Sequence, residues 1–241
     1  MRDASEHVRL DGGGLSVSGL WTGAIRPIAV AAIAHGAGAG MTHPFMAGVA
    51  EGLRSGGVSV LRFNFPYIEA GRRAPDPPAV LRGTWEAVMP HALRRSNGAP
   101  VVAGGKSLGG RVASMWAAAQ GQRFPAAALI FFGYPLHAAG RTEHLRDAHL
   151  SGIHRPMLFI QGTRDQLARL DLIEAVVKKL HPLARLHLVA GGDHSFRVKG
   201  SHASDQETGC RLGLTAAEYV RALVDAEPDH RSSADEDTGV R

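Results

Sequence analysis

The chain has 241 residues, 44% of them hydrophobic and 20% charged, with a formal net charge of +5, a composition that fits a globular protein with a substantial core. The longest apolar run in its first half, Ile28 to Ala34, is far shorter than the roughly 20 residues that cross a bilayer. Its single cysteine, Cys210, allows neither an intrachain disulfide nor a thiolate metal cluster.

The opening MRDASEHVRLDGGG carries acids at positions 3 and 6 and no apolar stretch of the kind a secretory signal needs, so a cytoplasmic location is the expectation. Leu15 to Leu20 alternates as an edge strand or hairpin arm. Ile28 to Ala34 reads as a fully apolar strand buried on both faces. Thr42-His43-Pro44 opens a helix with Phe45, Met46, Val49 and Leu53 at helical spacing, stopped by Gly56-Gly57. Val58 to Phe63 is the next strand, and Val80 to Leu93 an amphipathic helix. Val101 to Gly104 is a strand, Leu108 to Ala119 a helix rich in small residues, and Ala126 to Phe132 and Pro156 to Gln161 are strands. Leu170 to Leu180 is a helix, Arg185 to Ala190 a last strand and Leu214 to Val224 a closing helix.

This alternation predicts a mostly parallel sheet with helices on both faces and ligands bound beyond the carboxyl ends of the strands. Residues 1–226 are expected to form one α/β domain. The last segment, residues 227–241, is polar and aperiodic and reads as a disordered tail. The basic residues come as scattered pairs, Arg72-Arg73, Arg94-Arg95 and Lys178-Lys179. None is interleaved with aromatics, so no nucleic-acid partner is expected.

Gly105-Lys106-Ser107-Leu108-Gly109-Gly110 lies between a strand and a helix. A serine there is thrust out of a sharp turn at the carboxyl edge of the sheet, and glycines at 105 and 109 let strand and helix approach closely. A phosphate loop would need glycine where Pro100 stands. The cluster Gly36, Gly38 and Gly40 likewise lacks the third glycine of a dinucleotide fingerprint, since Met41 occupies that place, and no acid closes the following strand at Arg62-Phe63.

A serine hydroxyl needs an imidazole base, and the imidazole a carboxylate to fix its tautomer. Asp165 follows the strand ending at Gln161, and His194 follows the last strand, which gives the order Ser, Asp, His of α/β-hydrolases. Asp171 and Asp193 are the alternative acids. His35, His43, His137, His144, His149 and His154 are the other histidines considered, and their spacing does not suggest a metal site. The amide of Leu108, at the start of a helix, and that of Ala37, with Gly38 as runner-up, are the candidate oxyanion donors. His35 is expected to anchor its loop by hydrogen bonds.

Six stretches carry a family likeness: HGAGAGMTHPFM at 35 to 46, LRFNFPY at 61 to 67, GGKSLGGRVAS at 104 to 114, FFGYPLH at 131 to 137, PMLFIQGTRD at 156 to 165 and GGDHSF at 191 to 196. Together they resemble a small α/β-hydrolase related to the dienelactone hydrolases, and in particular the branch shared with a subunit of an animal chromatin-acetylation complex. The resemblance implies a three-layer sandwich with an open sheet of seven or eight strands and no large cap domain. It also implies a nucleophile at Ser107, an acid at Asp165, a base at His194 and no obligatory cofactor or metal. Dienelactone hydrolases are described as using a cysteine nucleophile, where this chain has Ser107.

The chemistry expected is therefore hydrolysis of a carboxylic ester with a small or exposed acyl group, through an acyl-enzyme. Amides, lactones and peptides are the alternative substrates, and a silent interaction module is the alternative to an enzyme. The loops Asn64 to Pro78 and Gly133 to Leu150 are the expected pocket walls. Phe65, Tyr67 and Tyr134 are candidate apolar contacts, and Arg72 and Arg73 candidate partners for a substrate carboxylate. Lys106, beside the nucleophile, is placed to favour an anionic leaving group or to pair with a loop acid.

Overall fold

The computed structural model describes residues 5–226; the expected tail lies outside them. The strands are β1 (Glu6–Gly12), β2 (Leu15–Thr22), β3 (Ala29–Ala34), β4 (Val58–Phe63), β5 (Val101–Lys106), β6 (Ala128–Phe132), β7 (Met157–Gly162) and β8 (Ala184–Val189). The helices are α1 (Pro44–Ser55), α2 (Pro66–Glu69), α3 (Pro78–Ser96), α4 (Leu108–Gln120), α5 (Leu170–Lys179) and α6 (Asp205–Ala226). One eight-stranded sheet runs in the order β1-β2-β4-β3-β5-β6-β7-β8. Only the β1–β2 and β2–β4 pairings are antiparallel; the five from β4 to β8 are parallel.

The parallel centre is apolar on both faces because helices cover both. In β3, Val30, Ala32 and Ala34 face the core closed by α3 and α4, through Trp85, Val88, Val112 and Trp116. Its alternate residues Ala29, Ala31 and Ile33 face α1 and α6, through Phe45, Val49, Leu53, Leu212 and Ala216. This is the two-residue period of a strand feeding two cores. Trp85 stacks on Trp116 at 5.9 Å and meets Phe63 edge-on at 4.9 Å, and each such buried ring contributes roughly 1.5–3 kcal/mol relative to exposure.

α1 and α6 touch backbone to backbone. A Cβ on Gly52 would lie 2.0 Å from the Cys210 carbonyl oxygen, and one on Gly213 2.4 Å from that of Val49. No side chain larger than hydrogen fits at either place.

Two departures from the sequence reading have local causes. β1 pairs with β2 across Gly13-Gly14, both with positive φ, as a two-residue hairpin demands; Val8 and Leu10 alone are too few to announce a strand. α6 begins at Asp205, well before Leu214. Its start is fixed by reciprocal bonds: the Ser204 hydroxyl accepts from the Glu207 amide at 3.1 Å, while the Glu207 carboxylate accepts from the Ser204 amide at 2.7 Å.

Candidate active site

The carboxyl ends of β3, β5, β7 and β8 bring four loops to one edge of the sheet. At the end of β5 the chain turns into α4 at Ser107, whose φ of 50° and ψ of −113° are unusual for a residue with a side chain. The turn is held because the Ser107 amide donates to the Phe132 carbonyl at 3.1 Å, and the Ser107 carbonyl accepts from the Arg111 amide at 3.0 Å. A Cβ on Gly105 would sit 2.3 Å from the Ala34 carbonyl oxygen, and one on Gly109 2.6 Å from those of Ala34 and His35. Gly104 is under the same constraint, since a Cβ there would lie 1.9 Å from the Ile130 carbonyl oxygen.

The turn points the Ser107 hydroxyl at His194. Their Oγ and Nε2 atoms are 2.8 Å apart, and the opposite ring nitrogen, Nδ1, lies 2.8 Å from Asp165 Oδ2. The carboxylate keeps the proton on Nδ1, which leaves Nε2 free to accept from the serine. Such a chain can draw the hydroxyl proton onto the imidazole and hold the resulting charge against the carboxylate. Asp165 is buried, and its burial is offset by donors: the Gln161 side-chain amide at 2.5 Å, the Leu167 backbone amide at 2.7 Å and the His194 ring.

The other acids are engaged elsewhere. Asp193 accepts from the amides of Ser195 and Arg197, closing the turn that carries His194. Asp171 forms an exposed pair with Arg169 at 2.7 Å. Among the remaining histidines, His149 bonds the Ser114 hydroxyl, His137 accepts from the Arg169 amide, His144 lies beside Glu143, and His154 is exposed. His43 caps α1 by accepting from the Phe45 amide.

His35 shapes the loop after β3. Its Nδ1 donates to the Gly36 carbonyl at 2.8 Å, and its Nε2 accepts from the Phe65 amide at 3.0 Å. Burial holds its pKa below the ordinary histidine value. Tyr67 braces the same loop: its hydroxyl lies 3.5 Å from the Gly36 carbonyl, and its burial pushes its pKa up to about 12. The Leu108 amide opens α4 and so has no partner within the helix. The Ala37 amide has no acceptor among the described residues.

A cavity of about 440 Å³ opens over Ser107 and His194. Its walls differ from those expected. They come from Gly36 to Ala39, from Phe45 and Met46 at the start of α1, from Leu167, and from Ser195, Arg197 and Asp205. Of the six candidate pocket residues only Lys106 lines it. Phe65, Tyr67 and Tyr134 are 0–1% exposed. Phe65 and Tyr67 stack on each other and meet His35 edge-on, so they support the loop from beneath. The Tyr134 hydroxyl donates to the Arg146 carbonyl. Arg72 pairs with Asp76 at 2.5 Å and Arg73 points to solvent.

The features missed in the sequence are Gln161, Phe45, Met46, Leu167 and the Arg197–Asp205 pair at 3.2 Å. A larger hollow, about 730 Å³, lies at the opposite edge of the sheet beside Pro100, Ala126 and Pro156, and none of its lining residues is acidic. Among the described residues, no helix is long and apolar enough to cross a membrane.

Solved structures of similar architecture include a dienelactone hydrolase from Anabaena variabilis, with a TM-score of 0.72 and 19% identity over 90% of this chain and 97% of that one. An alpha-beta serine hydrolase homologue from Coxiella burnetii gives 0.69 and 18% identity over 88% and 96% of the two chains. A member of the α/β serine hydrolases without a lid, from Xanthomonas campestris, gives 0.69 and 20% identity over 93% and 97%. At these identities the likeness is one of fold, with an eight-stranded, mostly parallel sheet and no large cap domain. The sequence model of the alpha/beta hydrolase domain matches residues 27–221, and the chain therefore belongs to the alpha/beta hydrolase family.

Proposed function

We propose that this protein is a serine hydrolase that cleaves carboxylic esters through an acyl-enzyme. The observation that carries the reading is the continuous chain from the Ser107 hydroxyl through the His194 ring to the buried Asp165 carboxylate, with 2.8 Å at both links.

In the first half-reaction Ser107 Oγ attacks the ester carbonyl carbon while its proton passes to His194 Nε2. The carbonyl oxygen becomes an oxyanion between the amides of Leu108 and Ala37. The amide of Gly38 is the alternative donor. Collapse of the adduct breaks the bond to the alcohol, which leaves with the proton from His194. In the second half, water gives a proton to His194 and its oxygen to the acyl carbon; the acid departs and Ser107 recovers its proton. Each oxyanion donor is worth about 10²–10³ in rate by analogy with measured cases.

The cavity supports small or exposed acyl groups, since Phe45, Met46 and Leu167 line it and no large cap domain covers it. A serine nucleophile sets the chain apart from the cysteine nucleophile described for dienelactone hydrolases.

The test is labelling by a fluorophosphonate probe, followed by turnover of short aryl esters, on the parent and on Ser107→Ala. Labelling and turnover confined to the parent are expected. Folded parent protein that takes up no label at Ser107 would overturn the reading.

A further inference from the structure

We infer that Lys106 recognises the substrate: the ester cleaved at Ser107 carries a carboxylate on a short spacer from the acyl carbon, and that carboxylate binds the Lys106 ammonium. The inference rests on the ester-hydrolase reading and specifies the substrate class of the same site.

Lys106 is the last residue of β5 and directly precedes Ser107. Its stem runs beside the loop after β3, where a Cβ on Gly36 would stand 3.4 Å from Lys106 Cγ. Its ammonium donates to the His194 carbonyl at 2.7 Å and lies 5.4 Å from the centre of the Phe196 ring. An ammonium has three protons to donate, and this one has a single hydrogen-bond acceptor among the described residues. Lys106 also lines the cavity that contains Ser107.

No carboxylate among the described residues lies within ion-pair distance of Lys106. The two acids whose fields reach it, Asp165 and Asp193, are already engaged: Asp165 with His194, Gln161 and Leu167, and Asp193 with the amides of Ser195 and Arg197. At the rim, Arg197 and Asp205 neutralise each other. His43 lies beside the same Asp205 at 4.0 Å, and Ala37, Phe45, Met46 and Leu167 supply apolar wall.

Lys106 is half-buried, and an ammonium partly removed from water with no carboxylate in ion-pair contact is held at a cost. Burial lowers the Lys106 pKa to about 8, which still leaves the group mostly protonated at pH 7. Bracing a carbonyl uses one of the three ammonium protons; the charge, which no carboxylate among the described residues pairs directly, is open to an anion in the cavity that Lys106 lines. The spacer must be short, because His194 holds Ser107 by its ring and Lys106 by its own carbonyl.

The experiment compares hydrolysis of monoethyl succinate with that of ethyl levulinate, a neutral ester of nearly the same shape, by following ethanol release at pH 7. Wild-type protein should favour the anionic ester by about tenfold or more in kcat/KM, the scale of one charge-assisted contact. Lys106→Met should bring that ratio close to one. Both rates can fall in the variant, because the brace on His194 is lost; the ratio isolates recognition.

Should Lys106→Met fail to fold, protection of wild-type Ser107 from the fluorophosphonate decides. Succinate should slow labelling at pH 7 and do so less at pH 9, while succinamide has no effect at either pH. Equal use of the two esters by wild type, a ratio retained in the variant, or equal effects of succinate and succinamide would overturn the inference while the hydrolase reading stands. A wild-type protein that neither labels at Ser107 nor cleaves either ester would remove both.

Discussion

Gln161 and His194 converge on one oxygen. The Gln161 amide nitrogen reaches Asp165 Oδ2 at 2.5 Å, and His194 Nδ1 reaches the same atom at 2.8 Å. The other end of the Gln161 side chain accepts from the Tyr134 amide at 2.9 Å, so one buried residue near the end of β7 ties the acid to the loop after β6.

Gln161→Leu removes the second donor and leaves the Tyr134 amide unpaired in the interior. A hydrogen bond to a charged group is worth about 1.5–3 kcal/mol, so urea unfolding should show a loss of that order. The kcat for an activated ester should fall by at least about tenfold with KM little changed, the pattern of a misheld acid. A variant with wild-type kcat would show that Asp165 needs no such support.

Asp165→Asn is expected to fold but to lose about 10⁴ in kcat, the scale known for an equivalent change in a serine protease. All three groups around the carboxylate are donors, so whichever way the new amide turns, its NH₂ faces another N–H. Steady-state kinetics alongside a melting curve separates the loss of activity from the smaller loss of stability.

His35 makes the donor loop acid-sensitive. Its folded pKa is below the ordinary value of 6.5, so at moderately acidic pH the unfolded chain binds a proton that the folded chain does not. The stability linked to this ring is present above pH 6.5 and is lost as pH falls from there through the folded value. His35→Leu should weaken that acid dependence in urea unfolding and cost about 1–3 kcal/mol at pH 7, because the Phe65 amide loses its acceptor.

Lys106 acts on stability in the alkaline range. The folded group releases its proton near pH 8 and the unfolded one near 10.5. Between these values the unfolded chain binds the extra proton, so stability rises with pH across the window; below pH 8 the full penalty applies. The rise attributable to Lys106 is at most about 3–4 kcal/mol. Lys106→Met should flatten this part of the stability curve, measured by denaturant unfolding from pH 7.5 to 10.

The sheet was legible because apolar runs such as Ile28 to Ala34 and Ala126 to Phe132 have few alternatives to a buried strand, and Gly105 and Gly109 announce a turn that only close backbone approach requires. The positions of Asp165 and His194 followed from the ends of strands. The cavity walls did not, since Phe45 and Met46 show the same helical spacing whether they face a core or a hollow. Phe65, Tyr67 and Tyr134 looked like contacts for a ligand because aromatics in loops suit either role; their partners decide, and those partners are distant in sequence. The start of α6 was present as Ser204 and Glu207 at capping-box spacing, but Gly209 and Gly213 obscured the helical pattern behind it.

The contact between α1 and α6 limits how this cavity can change. Phe45 and Met46 project from the first turn of one helix and Asp205 begins the other, and the two backbones are already in contact at Gly52 and Gly213. The helices cannot be pressed closer together to make room for a bulkier acyl group. Added space has to come from trimming Phe45 or Met46 themselves, so substrate range in this scaffold is governed by the exchange of a few side chains on a fixed wall.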